Sequence, residues 1–262
     1  LGASALVLPL KVESRLVRRD VPLLIAISAA VWGMASTGQV TWQAGVALLL
    51  ALVINTIWEI RTAREEPDGS EGAEPEIEAN AGRGGWTMAV VRLIVGIVIL
   101  TIGSRVLVSG ATSAATLLGV SEAVIGLTIV SAGTSMPELI TSLVAALRGR
   151  TDLAIGNVVG SCLLNLMLVL GCGALAAAGR GLEVSPELIQ EDLPIMLMTS
   201  LACLPIFWTR GCITRLEGGL LLGLYVLYVI DNGLPRTTLS SWSDEFRLVM
   251  LCLVLPVVMV VI

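Results

Sequence analysis

A carboxylate lies inside a stretch of lipid-crossing length, and it constrains this chain more than any other residue. Between Gly126 and Gly171 runs GLTIVSAGTSMPELITSLVAALRGRTDLAIGNVVGSCLLNLMLVLG. Two apolar helical segments stand back to back there, each expected to be interrupted by a cluster of small and hydroxyl residues. The first cluster ends in Pro137-Glu138. An ionisable residue within a membrane span is costly and marks a functional site by default. Pro137 adds a second constraint, because proline lacks an N–H and clashes with the preceding turn. The helix around Gly133-Thr134-Ser135 is therefore expected to lose its regular bonding, and freed carbonyls at that depth are tolerated only when buried in protein or facing water.

Composition supplies the surrounding medium. Of 262 residues, 55% are hydrophobic and 14% charged, and several apolar runs approach the ~20 residues a spanning helix needs. An all-α polytopic membrane protein follows, with the lipid bilayer as its implied partner and no nucleic acid. The formal charge of −5 reflects mainly one loop, where Glu65, Glu66, Asp68, Glu71, Glu74, Glu76 and Glu78 follow one another. That loop reads as a solvated linker. Cys162, Cys172, Cys203, Cys212 and Cys252 lack metal-ligand spacing and read as buried small residues.

Taken in order, Leu1 to Leu10 is too short to span and has neither an initiating Met nor a signal-peptide leader. It reads as the tail of a helix whose beginning is missing, so the chain is expected to be a fragment. Spans are then expected near Val21 to Met34, Trp42 to Ile60, Trp86 to Leu118, Glu122 to Leu147, Asp152 to Ala178, Leu188 to Trp208, Ile213 to Ile230 and Phe246 to Ile262.

An internal repeat organises these spans. Leu1-Gly2 matches Leu170-Gly171, Ala5-Leu6 matches Ala174-Leu175, Val12 matches Val184, and Asp20-Val21-Pro22 matches Asp192-Leu193-Pro194. Thr41, Gly45, Leu48 and Leu49 match Thr214, Gly218, Leu221 and Leu222. Residues 1–60 are thus expected to be the back half of a first repeat, 61–85 an acidic linker, 86–231 a second repeat, and 232–262 a loop with an additional C-terminal helix. Alternating turns gather Lys11, Arg15, Arg18, Arg19, Arg61, Arg64, Arg83, Arg92, Arg148, Arg150, Arg210 and Arg215 on one side. Arg105, Arg180, Arg236 and Arg247 fall on the other. The positive-inside bias puts the first set, and the linker, in the cytoplasm. Each full repeat would have five spans, so the halves enter the membrane in opposite senses, as in transporters whose site lies at the repeat interface.

The central stretch offers hard oxygens. Thr134 and Ser135 precede Glu138 by four and three residues and would share its face on a continuous helix. The second segment repeats the device with Gly156-Asn157, Gly160-Ser161 and Asn165. One carboxylate, hydroxyls, an amide oxygen and carbonyls suit Na⁺ or Ca²⁺ rather than thiophilic metals. Ser109, Thr112 and Ser142 read as close-packing residues, and Arg105 as snorkelling to the interface. For Asn157 both a site role and a bond to neighbouring backbone stay open.

Gly133-Thr134-Ser135-Met136-Pro137-Glu138, followed by Gly156-Asn157-Val158-Val159-Gly160-Ser161 and Asn165, resembles the α-repeat of the calcium/cation antiporter superfamily, near its prokaryotic sodium/calcium exchanger branch. The resemblance implies an inverted-repeat exchanger fold with a ten-helix core, here lacking its first helices. It also implies exchange of Ca²⁺ against Na⁺ by alternating access in a bacterial inner membrane. Ca²⁺ and Na⁺ would be transported ions, with no cofactor. The implied metal ligands are the Ala132 carbonyl, Thr134, Ser135, Glu138, Ser161 and Asn165. Two positions depart from the family pattern. Cys162 stands where Asn usually follows Gly-Ser, and Asn165 occupies a position that is often Asp. Proton- or K⁺-linked exchange is an alternative that the same oxygens would support. An intramembrane enzyme built on Ser135 or Ser161 finds no His in the chain, and its one Lys, Lys11, lies in a basic turn. A non-transporting scaffold is the remaining alternative.

Overall fold

The computed structural model describes residues 1–65, 83–119, 125, 129–177, 179–208 and 211–233. The expected last span at Phe246 to Ile262, most of the acidic linker, Arg210, Arg236, Arg247 and Cys252 lie outside the described residues. The chain divides into two compact units, Leu1–Ile54 with Glu138–Ile262, and Asn55–Pro137.

The first unit is built from two passes through one succession of elements. The first pass runs α1 (Gly2–Val7), β1 (Leu10–Lys11), a π-helical turn (Leu16–Asp20), α2 (Val21–Ala35), β2 (Gln39–Val40) and the start of α3 (Trp42–Glu65). The second pass comes after the central helices α6 (Met136–Leu147) and α7 (Thr151–Leu164). It runs α8 (Leu170–Ala176), β3 (Leu182–Glu183), a π-helical turn (Leu188–Asp192), α9 (Leu193–Trp208), β4 (Cys212–Ile213) and α10 (Arg215–Gly233).

The local chemistry is duplicated too. Each of these π turns precedes a proline in the first turn of the next helix, Pro22 or Pro194. There the Val21 N–H reaches back to Leu16 O and the Leu193 N–H to Leu188 O. The widened turn leaves room for a ring that an ordinary α turn would drive into a carbonyl. Tyr228 Oη then donates to Asp192 at 2.8 Å, tying the second π turn to α10.

The two passes exchange their strands. β1 pairs antiparallel with β4, Leu10 opposite Ile213 and Lys11 opposite Cys212. β2 pairs with β3 in the corresponding register, Val40 opposite Leu182 and Gln39 opposite Glu183. One further main-chain bond extends each pair, from Val12 N–H to Gly211 O at 2.8 Å and from Val184 N–H to Gly38 O at 3.0 Å. Gly38 and Gly211 hold φ of 85° and 56°, a left-handed backbone that other residues adopt reluctantly.

Helix starts follow the same rule. Thr41 Oγ1 accepts the Ala44 N–H at 3.3 Å. At the matching place Thr214 and Glu217 form a reciprocal capping box, with Thr214 N–H and Oγ1 both donating to Glu217 Oε2.

Helix crossings are set by small residues. A Cβ built on Gly2 would stand 2.7 Å from Gly218 O, and one on Gly218 2.6 Å from Ala5 Cβ. On the other side, a Cβ on Gly45 would stand 2.8 Å from Gly171 O and 2.9 Å from Ala174 Cβ. Close backbone approach of this kind is how helices associate in lipid, where apolar burial gives little drive. Around the crossings, Leu10, Leu16, Val17, Val21, Ile155, Val159, Leu163, Phe207 and Ile213 form one core. Ala35, Val40, Ala44 and Ala174 form a second.

The second unit contains the C-terminal part of α3, α4 (Arg83–Leu117) and α5 (Ser131–Thr134). Its long helix presents Ile99 at 64% and Val106 at 67% exposure. In water each such side chain would forgo about 1.5–3 kcal/mol of burial. Exposure on this scale suits an apolar medium better than water. Among the described residues, four helical stretches are long and apolar enough to cross a membrane, Trp42–Thr62, Met88–Leu117, Thr151–Ala176 and Leu188–Trp208.

Two expectations change. The span expected at Glu122 to Leu147 is not one helix, since α5 and α6 are separate helices meeting at Ser135. Nor is the next segment interrupted at its glycines. α7 runs unbroken through Gly156 and Gly160, neither of which meets anything within 4 Å where a Cβ would stand, and the irregularity comes later, as a π turn at Asn165–Val169.

The crossings give a direct test. Gly45→Ala and Gly218→Ala are each expected to cost about 1–3 kcal/mol by overpacking, read as a lower Tm in detergent. Gly223→Ala, whose Cβ meets nothing within 4 Å, should raise Tm, by up to about 1 kcal/mol of helix propensity. A Gly45→Ala protein as stable as Gly223→Ala would show that the crossing has room to spare.

Candidate functional site

The site begins with a broken helix. In the second unit, α5 is one short turn, and Ser135 after it has φ −90° and ψ 3°, outside the helical basin. Pro137 then occupies the first turn of α6, where its missing N–H costs no helical bond. Pro137 supplies no amide to the end of α5, where Gly133 O takes the Ser135 N–H instead. Thr134 Oγ1 donates to Ser131 O at 2.9 Å, which keeps the hydroxyl's lone pairs for another donor or a cation. Thr134 and Ser135 are exposed and Ala132 half-buried. Gly133 is buried against α4, and a Cβ there would collide with Val108. Glycine at 133 is thus a condition for seating α5.

In the first unit, Glu138 lies in the opening turn of α6, where the positive end of the helix dipole favours a carboxylate. Its Oε2 is buried and has no hydrogen-bond partner. Removing a carboxylate oxygen from water without a donor carries a large penalty unless a cation or proton offsets it. Among the described residues no three His, Cys, Asp or Glu side chains cluster.

Those oxygens are arranged along α7. Asn157, Ser161 and Asn165 recur every four residues and share one face, while Ile155, Val159 and Leu163 turn the other way into the core. Ser161 Oγ donates to Val158 O at 3.0 Å, again leaving its lone pairs free to accept. Asn165 is exposed and opens the π turn, whose closing bond runs from Leu170 N–H to Asn165 O. No proline follows this turn, unlike the other two. π turns of this sort recur at functional sites.

Asn157 joins the two helices. Its Nδ2 lies 2.9 Å from Ser142 Oγ, 3.0 Å from Thr141 Oγ1 and 3.2 Å from Glu138 O. The bond to neighbouring backbone that the sequence left open is present, to Glu138 O, and the same amide also bridges to two hydroxyls across the hairpin. Ser142, read as a packing residue, is buried and is also an acceptor in this bridge.

Of the six residues singled out, Glu138, Ser161 and Asn165 belong to the first unit and Ala132, Thr134 and Ser135 to the second. The common helical face expected for Thr134, Ser135 and Glu138 does not exist, because the chain changes helix at Ser135. The described cysteines are free thiols, but not all are buried, since Cys162 and Cys172 are exposed and Cys203 and Cys212 half-buried.

This arrangement has relatives. The family model described as sodium/calcium exchanger protein matches residues 88–231. The inner membrane protein YrbG of Escherichia coli K12 is 32% identical over 236 residues, covering 87% of this chain and 72% of YrbG. The sodium/calcium exchanger MaX1 of Methanosarcina acetivorans is 34% identical over 147 residues, 56% of this chain and 41% of its own. The human sodium/potassium/calcium exchanger 2 is 34% identical over 113 residues, 43% of this chain and 17% of its own. Among solved structures, the sodium-calcium exchanger NCX_Mj soaked with 10 mM Na⁺ and zero Ca²⁺ superposes with a TM-score of 0.67 at 29% identity, covering 87% of this chain and 70% of that one. With its apolar helices, its proline-broken helix and its buried carboxylate, the chain belongs to the sodium/calcium exchanger family and is a multi-pass integral membrane protein.

Proposed function

We propose that this chain exchanges Ca²⁺ against Na⁺ across a bacterial inner membrane by alternating access. The buried, unpartnered Oε2 of Glu138 beside a broken helix is the observation that carries the reading. A cation completes that oxygen's coordination, and Na⁺ and Ca²⁺ compete for it. The Ala132 carbonyl, Thr134 and Ser135 contribute from the carbonyl end of α5, and Ser161 and Asn165 from α7. These are hard donors of the kind that bind Ca²⁺ at about 2.3–2.6 Å.

Residues 1–60 form the back half of a first repeat and 86–231 a second, joined by the acidic linker. The duplicated strands, π turns and glycine crossings support this division. Transport then requires a chain that carries both repeats, because the midplane site is shared between them.

A second reading within the same fold is K⁺- or proton-linked exchange. It draws support from Asn165, whose neutral amide leaves Glu138 as the one carboxylate among the assigned ligands, and from the similarity to a sodium/potassium/calcium exchanger.

In membrane vesicles carrying the exchanger with both repeats, Glu138→Gln is expected to abolish radiocalcium uptake driven by a Na⁺ gradient. Uptake at the wild-type rate would remove Glu138 from the site. Asn165→Asp is expected to lower the Ca²⁺ concentration for half-maximal uptake and to alter Na⁺ competition. If both are unchanged, the amide does not set the charge balance. Uptake that follows an imposed K⁺ or pH gradient and ignores Na⁺ would select the second reading.

A further inference from the structure

Asn157 has two amide hydrogens and three acceptors within reach, all on one turn of α6. Its orientation is chemically fixed. Glu138 O can only accept, so the amide nitrogen and not the oxygen must face α6. The same Glu138 carbonyl also receives the Thr141 hydroxyl at 3.1 Å. Within α6 this carbonyl also accepts the amide of Ser142, four residues on. The main chain of Glu138 is therefore held from its own helix and, through Asn157, from the neighbouring one, while its Oε2 has no hydrogen-bond partner.

From this contrast we infer that Asn157 is a positioning residue for the ion site, one that acts through Glu138 and does not itself touch the ion. The inference rests on Glu138 being a ligand, as proposed above. Its physical basis is the small tolerance of Ca²⁺ coordination, whose oxygen distances span only about 0.3 Å. A Glu side chain transmits any rotation or slide of its own turn directly to its carboxylate. α6 begins at a break, where Ser135 leaves the helical basin and interrupts the run from the preceding turn. Asn157 supplies the missing restraint from α7, the helix that also carries Ser161 and Asn165. The bridge thereby fixes the one charged ligand in register with two neutral ones. It also excludes the Glu138 carbonyl as an ion ligand.

A helix-packing role alone would make a different pattern of losses. Asn157→Leu keeps the side-chain volume and removes every donor. In vesicles carrying the exchanger with both repeats, it is expected to raise the Ca²⁺ concentration for half-maximal uptake about ten-fold, the usual scale for loss of an outer ligand support. The maximal rate should be retained. In detergent, the Ca²⁺-induced rise in Tm should shrink in parallel, which reads binding without turnover. A lower Tm in Ca²⁺-free detergent with unchanged half-saturation would mean packing only and overturn the inference. Glu138→Gln, assayed beside it, separates the two levels. Wild-type uptake in Glu138→Gln overturns the ligand assignment and this inference together. Loss of uptake in Glu138→Gln with unchanged half-saturation in Asn157→Leu overturns the positioning role alone. Should Asn157→Leu fail to assemble, Thr141→Ala removes one of the two side-chain donors to the Glu138 carbonyl, and an acceptor for Asn157, and decides the matter. A smaller rise in half-saturation supports the inference, and none overturns it.

Discussion

Main-chain hydrogen bonds that end inside or beside a bilayer have no water to complete them, and the way this chain completes its own determines the rest of its structure. The two passes of the first unit each contain two strands of two residues and a proline-headed helix. No strand has a partner within its own pass, so each pass lends the other what it lacks, β1 to β4 and β2 to β3. Val12 and Val184 then close the remaining amides on Gly211 and Gly38. Exchange of this kind locks the two passes together by main-chain bonds, each worth about 0.5–1.5 kcal/mol where water competes. The glycine crossings follow from it, because bringing both strand pairs into register forces α1 against α10 and α3 against α8 at backbone distance.

Against that background the junction of α5 and α6 stands out as a place where the chain leaves its bonds open. Pro137 removes a donor, Ser135 leaves the helical basin, and Glu138 Oε2 is buried without a partner. The two proline-associated π turns show that this chain can absorb a proline without breaking a helix. At Pro137 it does not, and a carboxylate oxygen without a partner remains at the break. Stability and function thus divide the prolines between them. Pro22 and Pro194 are accommodated, whereas Pro137 marks the end of one helix and the start of another.

Much of this could be read from residue order alone, and the reason is physical. Apolar length reports bilayer thickness, so the spans from Trp42 and from Leu188 fall where the helices are. The matches of Asp20-Val21-Pro22 with Asp192-Leu193-Pro194 kept register because both serve the same widened turn. What escaped were features that depend on more than one helix or on an extra residue in a turn. Spacing along α7 puts Asn157 on the Ser161 face but cannot say that its amide reaches three acceptors on α6. The π turn at Asn165 has no proline to announce it. Glycine misled in the other direction, since Gly156 and Gly160 suggested a break in a helix that runs straight through them. A glycine permits a break without requiring one, and proline is the residue that forces the issue.

The amide at 165 carries the sharpest electrostatic consequence of the proposed ligand set. A carboxylate 4 Å from a cation contributes roughly 4 kcal/mol per unit of cation charge at an effective dielectric constant of about 20. Replacing it by a neutral amide therefore takes about twice as much from Ca²⁺ as from Na⁺, while both ions keep a neutral oxygen ligand. Geometry and ligand number then have to supply what charge does not. That makes the fixed placement of Glu138 more important than it would be with an acid at 165. A carboxylate held in register can favour a divalent ion through the oxygens gathered around it, whereas one free to drift loses that advantage and keeps only its unit charge. The bridge from Asn157 and the amide at Asn165 are in this sense two sides of one arrangement, the first compensating by position for the charge that the second omits.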